Sequence, residues 1–497
     1  MTAIPRHVLS KSTFIKGTQC VKALYLNKHH RELKEDISEQ LEQVFATGHQ
    51  VGELAQDLFP GGDYGALPGE IPSAISVQRT MDLIANGCMI IYEATFQFEE
   101  VMVAMDIMVK HKDGWHAYEV KSATSVKGTF RMDASVQYYV ITNSGCKLKD
   151  IAIVHINTGY VKQGPIDVQK LFTIASVLPQ ALENQTFVES KIKEFKNILA
   201  SSTIPEVEIG PHCSDPYGCD FTEHCWQHIP KQTLFSYKGL RGKEKWDLFK
   251  SNIYKIDDIP DNYPLGKAGQ VVVSAEKNNR EYINKASIRS FVADIHYPIY
   301  YLDFETLFMV TIPIYDNSSP FQQIPFQYSL HIRRSKNAEL EHYEYLAEAN
   351  RNIDPRIAFI KQLVAEMGTE GSILAYNMSF EIGRLKELKD IAPQYTNEID
   401  NMIARFIDLM NPFRSKHYYT PSMKGSYSIK KVLPALVPEL SYEGMDIANG
   451  SDASASFMKL FNETDSETIQ KTRTDLLEYC KLDTQAMVEI LDVLFKI

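Results

Sequence analysis

The chain has 497 residues, with 52 Lys and Arg against 63 Asp and Glu, a formal net charge of -11, 44% hydrophobic residues and 23% charged ones. That length exceeds what one ordinary core organises, so two or three domains are expected, and the composition is that of a folded soluble chain, not a collagen-like or low-complexity one. The acidic total excludes a uniformly basic nucleic-acid surface and leaves local clusters to carry any such contact.

Met1 to Gly17 carries Arg6, Lys11 and Lys16 but no continuous apolar segment, and no later stretch reaches the roughly 18 apolar residues of a membrane helix. A cytoplasmic protein is therefore expected. Seven cysteines, three of them in one short window, suit reduced thiols and metal ligation better than a disulfide framework. Cys20 stands near the start, and Cys213, Cys219 and Cys225 follow much later with five residues in each gap. Four thiolates drawn from both ends of a domain can close it with one metal centre, either a [4Fe–4S] cluster or zinc. Zinc knuckles use closer Cys-x2-Cys pairs, so the wide spacing favours the cluster. Cys88, Cys146 and Cys480 read as ordinary buried cysteines.

Gly48 to Glu53 reads as helix, with His49 and Glu53 one turn apart and able to share a ligand's duty. Asp106 to Lys121 reads as a β-hairpin with Asp113-Gly114 as its two-residue loop. That loop pairs Asp106 with Lys121 and Met108 with Glu119. Asp106, Glu119 and Lys121 then share one face, and Ile107, Val109, Tyr118 and Val120 take the apolar other. Two carboxylates held together call for a cation between them, and a divalent metal is the natural occupant. A helix over Asp133–Ile141 follows and carries Gln137.

After Cys225 the chain changes character. Trp246 to Ile259 reads as a short helix and turn, and Asn284 caps a helix running to Ile295. A strand over Ile299–Phe304 opens a further domain of alternating strands and helices. In Tyr301-Leu302-Asp303-Phe304-Glu305 the two acids share a face. Ala375 to Glu381 reads as a strand end followed by a helix capped by Asn377 and bearing Glu381. Leu476 to Leu494 is helical, with Tyr479 and Asp483 on one side. A strand and a returning helix that both bring carboxylates form the assembly a two-metal site needs. Asp408 reads as a supporting carboxylate. From Met402 to Lys431 cations alternate with rings, and Arg414, Lys416 and Tyr418 are the candidates for guiding a single strand. The same pattern describes a solvated face beside an ordinary aromatic core.

The one-plus-three cysteines, Ala104-Met105-Asp106, Glu119-Val120-Lys121 and Gln137 resemble the iron–sulfur nucleases of the RecB-like PD-(D/E)XK class, including the CRISPR spacer-acquisition nucleases. The resemblance implies Mg²⁺ or Mn²⁺ on Asp106 and Glu119, completed by His49 or Glu53. It further implies that Lys121 positions or deprotonates the attacking water, that Gln137 fills the glutamine motif, and that Cys20, Cys213, Cys219 and Cys225 hold a [4Fe–4S] cluster. Gly52 stands where that family often has a ligand histidine, and Ile141 where it commonly has a tyrosine. The acids and Tyr479 of the last third resemble the DnaQ-like DEDD 3′-5′ exonucleases of the ribonuclease H fold. This implies a second Mg²⁺ or Mn²⁺ site on Asp303, Glu305, Glu381 and Asp483, with Tyr479 orienting the water; Glu381 replaces that family's aspartate.

Together these readings give an α/β chain in three parts: a restriction-endonuclease-like domain over 1–229, a helical connector over 230–295 and a ribonuclease H-like domain over 296–497. The expected activity is metal-dependent hydrolysis of DNA, single-stranded or with free ends, in repair or in defence against foreign DNA. Two rival readings are a nuclease with one working site, whose C-terminal domain only binds the strand, and a non-catalytic iron–sulfur DNA-binding scaffold.

Overall fold

The apolar runs of the first half form a mixed sheet. In the computed structural model, residues 7–37, 39–308 and 310–497 are described, and the chain clusters into two units, Met1–His228 and Ile229–Ile497. In the first, β1 (Leu9–Ser10), β2 (Asp63–Tyr64), β3 (Ile90–Phe98), β4 (Val101–Lys110), β5 (Trp115–Lys121), β6 (Leu148–Ile156) and β7 (Phe172–Ser176) build a seven-stranded sheet in the order β2-β3-β4-β5-β6-β7, with β1 against β4. β3, β4 and β5 are an antiparallel meander, and β6 runs parallel to β5. The helix Gly128–Asn143 provides the crossover that a parallel pair requires. Its Ala134, Val140 and Ile141 are buried in one core with Met105, Met108 and Ile153.

The β4–β5 hairpin is closed one residue earlier than the sequence reading expects. His111 N donates to Gly114 O at 2.8 Å and Gly114 N to His111 O at 3.3 Å, so the loop is Lys112-Asp113. Gly114 follows it with φ +153, where a Cβ would come within 2.9 Å of the Lys147 carbonyl oxygen. The glycine thus answers a close approach, not the loop itself. Ile107 pairs with Tyr118 and Met108 with Ala117, which sets Asp106 level with Glu119 instead of Lys121. Sliding the pairing by two residues preserves which face each side chain takes.

In the second unit, β8 (Tyr282–Ile283) pairs with β14 (Tyr418–Tyr419) as a separate ribbon. β9 (Ile299–Leu307), β10 (Ile324–Arg333), β11 (Leu340–Leu346), β12 (Ser372–Ala375) and β13 (Phe406–Asp408) form a sheet in the order β11-β10-β9-β12-β13. β11, β10 and β9 are antiparallel, while β12 and β13 run parallel to β9. β9 is buried on both faces: Tyr300, Leu302 and Phe304 belong to one core, Ile299, Tyr301 and Leu307 to another. The helix Ser466–Phe495, capped by Asp465 through Thr468 N, covers the second face with Leu476, Tyr479, Asp483, Met487 and Ile490. Asp303 and Glu305 fall in the odd-numbered row that meets this helix.

Residues 230–295 do not form a separate connector. Leu234, Leu240, Leu248, Val272 and Ile288 share a core with Tyr301 and Phe326, with the helix Lys267–Asn278 packed on β14 and the helix Lys285–Ala293 on the helix Ser466–Phe495, as short amphipathic helices need tertiary packing to be stable. Asn284 does cap its helix, accepting from Ser287 N at 3.1 Å. Among the described residues, no helix is long and apolar enough to cross a membrane.

Candidate functional site

The sheet of the first unit sets three carboxylates in one row. Tyr92 pairs with Ile107 and Ala94 with Met105, so Glu93 stands level with Asp106, which stands level with Glu119 on the next strand. Glu93 has φ +50, a left-handed backbone that is uncommon outside glycine. Glu119 is 2% exposed and accepts from Gln137 Nε2 at 2.5 Å, from Lys121 Nζ at 2.8 Å and from Lys11 Nζ. Gln137 also donates to Ala104 O at 2.9 Å, Lys121 pairs with Asp133 at 2.9 Å, and Asp106 Oδ2 accepts from Val120 N at 2.5 Å.

This network divides the three acids. Burial, then the Glu119 charge, pushes Asp106 up to about 7. Burial, then Asp106 and Glu119, pushes Glu93 up to about 8. Burial acts in the same direction on Glu119, but Lys11 and Lys121 outweigh it and hold this carboxyl at about 2. Burial also opposes the charge on Lys121, yet Glu119 and Asp133 hold its ammonium well above the usual lysine range. Two half-buried acids that keep protons near neutrality beside a buried third that does not are a donor set suited to a divalent cation.

His49 and Glu53 are not part of this row. Both are exposed on the helix Glu39–Gln56, whose buried residues are Val51 and Ala55. Two residues is about 200° around a helix, so His49 and Glu53 point away from the face that packs. Glu93, an acid within the otherwise apolar run of β3, takes the third place, and Lys11 joins from the helix Lys11–Gln19.

The four cysteines line one small cavity with Ala23, Val207 and Phe221. Cys20 is the cap residue of the helix Val21–His29, and Cys225 lies on the helix Thr222–Trp226. Gln19 Nε2 ties the two ends together, donating to His212 O and Tyr217 O at 2.7 Å each, and Lys16 meets Asp220 at 2.6 Å. Burial pushes the Cys219 thiol up to about 11, with Cys20 and Cys213 adding to it. Among the described residues, three ligand atoms lie within 4.8 Å of one another at Asp303, Glu305 and Cys480; no three of the four cavity sulfurs draw that close.

In the second unit, Asp303, Glu305, Glu381, Tyr479 and Asp483 line one cleft of about 390 Å³, together with Lys430, Asn449 and Gly450. Glu381 projects from the first turn of the helix Ser379–Ile391. It is 2% exposed, and its Oε2 has no hydrogen-bond partner among the described residues. Asp483 Oδ1 accepts from Tyr442 Oη at 2.6 Å. Burial, then the Asp483 charge, holds Asp303 well above the carboxylate range; burial, then Asp303, does the same to Glu305 and Glu381. Burial pushes Asp483 only to about 6, because Tyr442 and Lys430 favour its charged form. Burial also keeps the Tyr479 phenol far above its ordinary value. Four carboxylates in one cleft, three of them buried and one with an unpartnered oxygen, form a donor set that hard divalent cations complete.

Asn377 is not the helix cap. It takes a left-handed turn at φ +86, its N–H donates to Asp408 Oδ1 at 3.1 Å, and Met378 occupies the cap position. Asp408 also accepts from Met410 N at 3.1 Å, so it braces this turn. The strand-guiding trio is corrected more sharply. Lys416 is 4% exposed, donates to Gly425 O at 2.7 Å and lies against the Tyr419 and Tyr427 rings, and burial lowers it to about 8. Tyr418 is buried in the ribbon opposite Ile283. Only Arg414 stays half-exposed, bonded to Asn411 and 3.5 Å from Asp408. Phe413, Tyr419 and Met423 bury this turn, so its rings and Lys416 are core.

Residues 300–428 match the family described as Domain of unknown function (DUF2779), a span that includes Asp303, Glu305 and Glu381 but stops before Lys430, Tyr442 and Asp483. The chain is 30% identical over 246 residues to an uncharacterized protein of Ureaplasma parvum serovar 3, covering 45% of this chain and 35% of that protein. It is 27% identical over 209 residues to an uncharacterized protein of Mycoplasma pneumoniae, covering 38% and 31%. The chain thus spans about a third of the length of the curated relatives it matches.

Proposed function

We propose that the chain is a metal-dependent nuclease of the cytoplasm with two active sites. The first is a RecB-like PD-(D/E)XK nuclease site braced by an iron–sulfur cluster, and the second a DnaQ-like DEDD 3′-5′ exonuclease site on a ribonuclease H-like sheet. Both act on DNA that is single-stranded or has free ends, in repair or defence. The observation that carries this reading is the convergence of Asp303, Glu305, Glu381 and Asp483, with Tyr479, on one cleft from three distant segments of the chain. The strand order β11-β10-β9-β12-β13 supports the second fold, and the meander followed by a helical crossover to a parallel strand supports the first.

Mg²⁺ or Mn²⁺ bound by these carboxylates would supply Lewis-acid stabilisation of the phosphoryl oxygens and an activated water. In the C-terminal cleft, Tyr479 keeps its proton and so orients a water instead of deprotonating it. Tyr442 fixes the rotamer of Asp483 through its 2.6 Å hydrogen bond. In the N-terminal row, Gln137 and Lys121 fix Glu119. A lysine held charged cannot act as a base, so Lys121 positions the water and stabilises charge gathering on the phosphate.

Cys20, Cys213, Cys219 and Cys225 line one cavity, and their wide spacing in the sequence favours over zinc a [4Fe–4S] cluster, which would staple the ends of the unit around the acidic row. The reading in which the second unit only binds a strand rests on Glu381 in place of aspartate, and against it Glu381 lines the cleft with Asp303, Glu305 and Asp483. The test is Mn²⁺-dependent release of nucleotides from labelled single strands by the full chain. Asp303→Asn should abolish 3′ trimming and Glu119→Gln should abolish the remaining cleavage.

A further inference from the structure

The C-terminal cleft holds a cation that neither the sequence reading nor the DEDD resemblance assigns. Lys430, on the helix Ile429–Leu436, lines the cleft with all four carboxylates. Its Nζ lies 5.2 Å from the Tyr479 ring centre and 5.5 Å from that of Tyr442. It donates one hydrogen bond, to the Ala448 carbonyl oxygen. Among the described residues it forms no ion pair with a carboxylate, although its charge is felt at Asp303, Glu305 and Asp483.

A lysine tethered to a carbonyl and braced by two rings is fixed in place, and an ammonium has three N–H donors. One is occupied, and the others remain for an anion entering the cleft. The wall beside it is open: Gly450 has no side chain, and a Cβ there would already touch Glu305 Oε2 at 3.4 Å. The acids supply one half of a phosphate site, through metal ions, but cannot themselves accept an anionic oxygen. Lys430 supplies the other half.

We propose that Lys430 is the phosphate-binding residue of this cleft, seating a non-bridging oxygen of the 3′-terminal nucleotide's phosphate beside Tyr479. This rests on the reading of the cleft as a nuclease site. If Lys430 only neutralised the acids, its loss would weaken the monophosphate through long-range repulsion that salt screens; loss of a direct phosphate contact is felt at high salt too, so the titrations are done at high salt.

The test is isothermal titration of the full chain with Mn²⁺, using thymidine 5′-monophosphate and thymidine as probes, with Asp303→Asn as the control that identifies binding at this cleft. Lys430→Met should weaken the monophosphate roughly 10-fold or more, as loss of a charged hydrogen bond does, and leave thymidine unchanged. Lys430→Arg should restore most of the affinity. With single-stranded DNA, the dependence of log KM on log salt should become shallower by about 0.7 in Lys430→Met, the share of one phosphate contact. Equal monophosphate affinity in wild type and Lys430→Met would overturn the proposal and leave the nuclease reading intact. Absence of Asp303-dependent monophosphate binding in the wild type would overturn both.

Discussion

Replacing Asp303 by asparagine should stabilise the metal-free protein while destroying its response to metal. Asp483 moves from an ordinary 3.8 to about 6 in the fold, so ionising it inside the cleft costs about 3 kcal/mol at about 1.4 kcal/mol per pH unit. The folded state holds this proton more tightly than the unfolded chain. Stability is therefore greatest below the unfolded value and is lost as pH rises from about 4 through about 6. Glu305 and Glu381 add losses in the same direction, and Asp303 is the largest charge acting on both. Asparagine removes that charge at nearly constant volume. At pH 7.5 without divalent ions, Asp303→Asn should raise the Tm of the second unit, by about 2–4 °C for each kcal/mol of repulsion it relieves at Glu305 and Glu381. In the wild type, Mn²⁺ at 100 times its Kd should stabilise by about 2.7 kcal/mol; in the variant that gain should vanish. Calorimetric scans at pH 5 to 8, with and without Mn²⁺, would read both. A lower metal-free Tm in Asp303→Asn, or an equal Mn²⁺ response in both proteins, would refute the electrostatic reasoning.

Other outcomes follow from the same geometry. Tyr442→Phe removes the donor that favours ionised Asp483, so the acid limb of the C-terminal activity should move to higher pH than in the wild type, which a pH–rate profile reads directly. Lys416→Met should leave strand affinity and its salt dependence unchanged, because the ammonium is buried against Gly425; a flatter salt slope would return this lysine to the nucleic-acid surface. Anaerobically purified protein should be brown with about four irons per chain, and Cys219→Ser should lower both iron content and solubility; a colourless protein with stoichiometric zinc would contradict the cluster. Lys121→Met should abolish the N-terminal activity and leave 3′ trimming intact, measured on strands with free and blocked 3′ ends.

Periodicity alone makes two pairs legible, Asp303 with Glu305 and Tyr479 with Asp483; Asp106 shares a face with Glu119 only through the parity of the hairpin, and each pair meets in one site. The hairpin register was less legible, because Asp-Gly is a strong loop signal and nothing local reveals that Gly114 is needed beside the Lys147 carbonyl. Glu93 is not legible in the sequence, because a single acid in Ile90–Phe98 carries no spacing to a partner; only the pairing of β3 with β4 sets it beside Asp106. Lys430 and Tyr442 come to the cleft from outside the acidic motifs, where no repeat signals a ligand. Cations among rings describe a binding face and a buried turn equally well. Tertiary packing decides Lys416 and Tyr418, and also the helices of 230–295, whose apolar faces do not announce which elements they pack on.

The central claim is most directly tested with 5′-labelled single-stranded DNA and Mn²⁺, using wild type, Glu119→Gln, Asp303→Asn and the double variant, each with free and blocked 3′ ends. Stepwise 3′ trimming should survive Glu119→Gln and be lost in Asp303→Asn or with a blocked 3′ end. A second cleavage pattern should survive Asp303→Asn and be lost in Glu119→Gln, and the double variant should be inert. Identical products from wild type and Asp303→Asn, or cleavage that persists in the double variant, would contradict the claim.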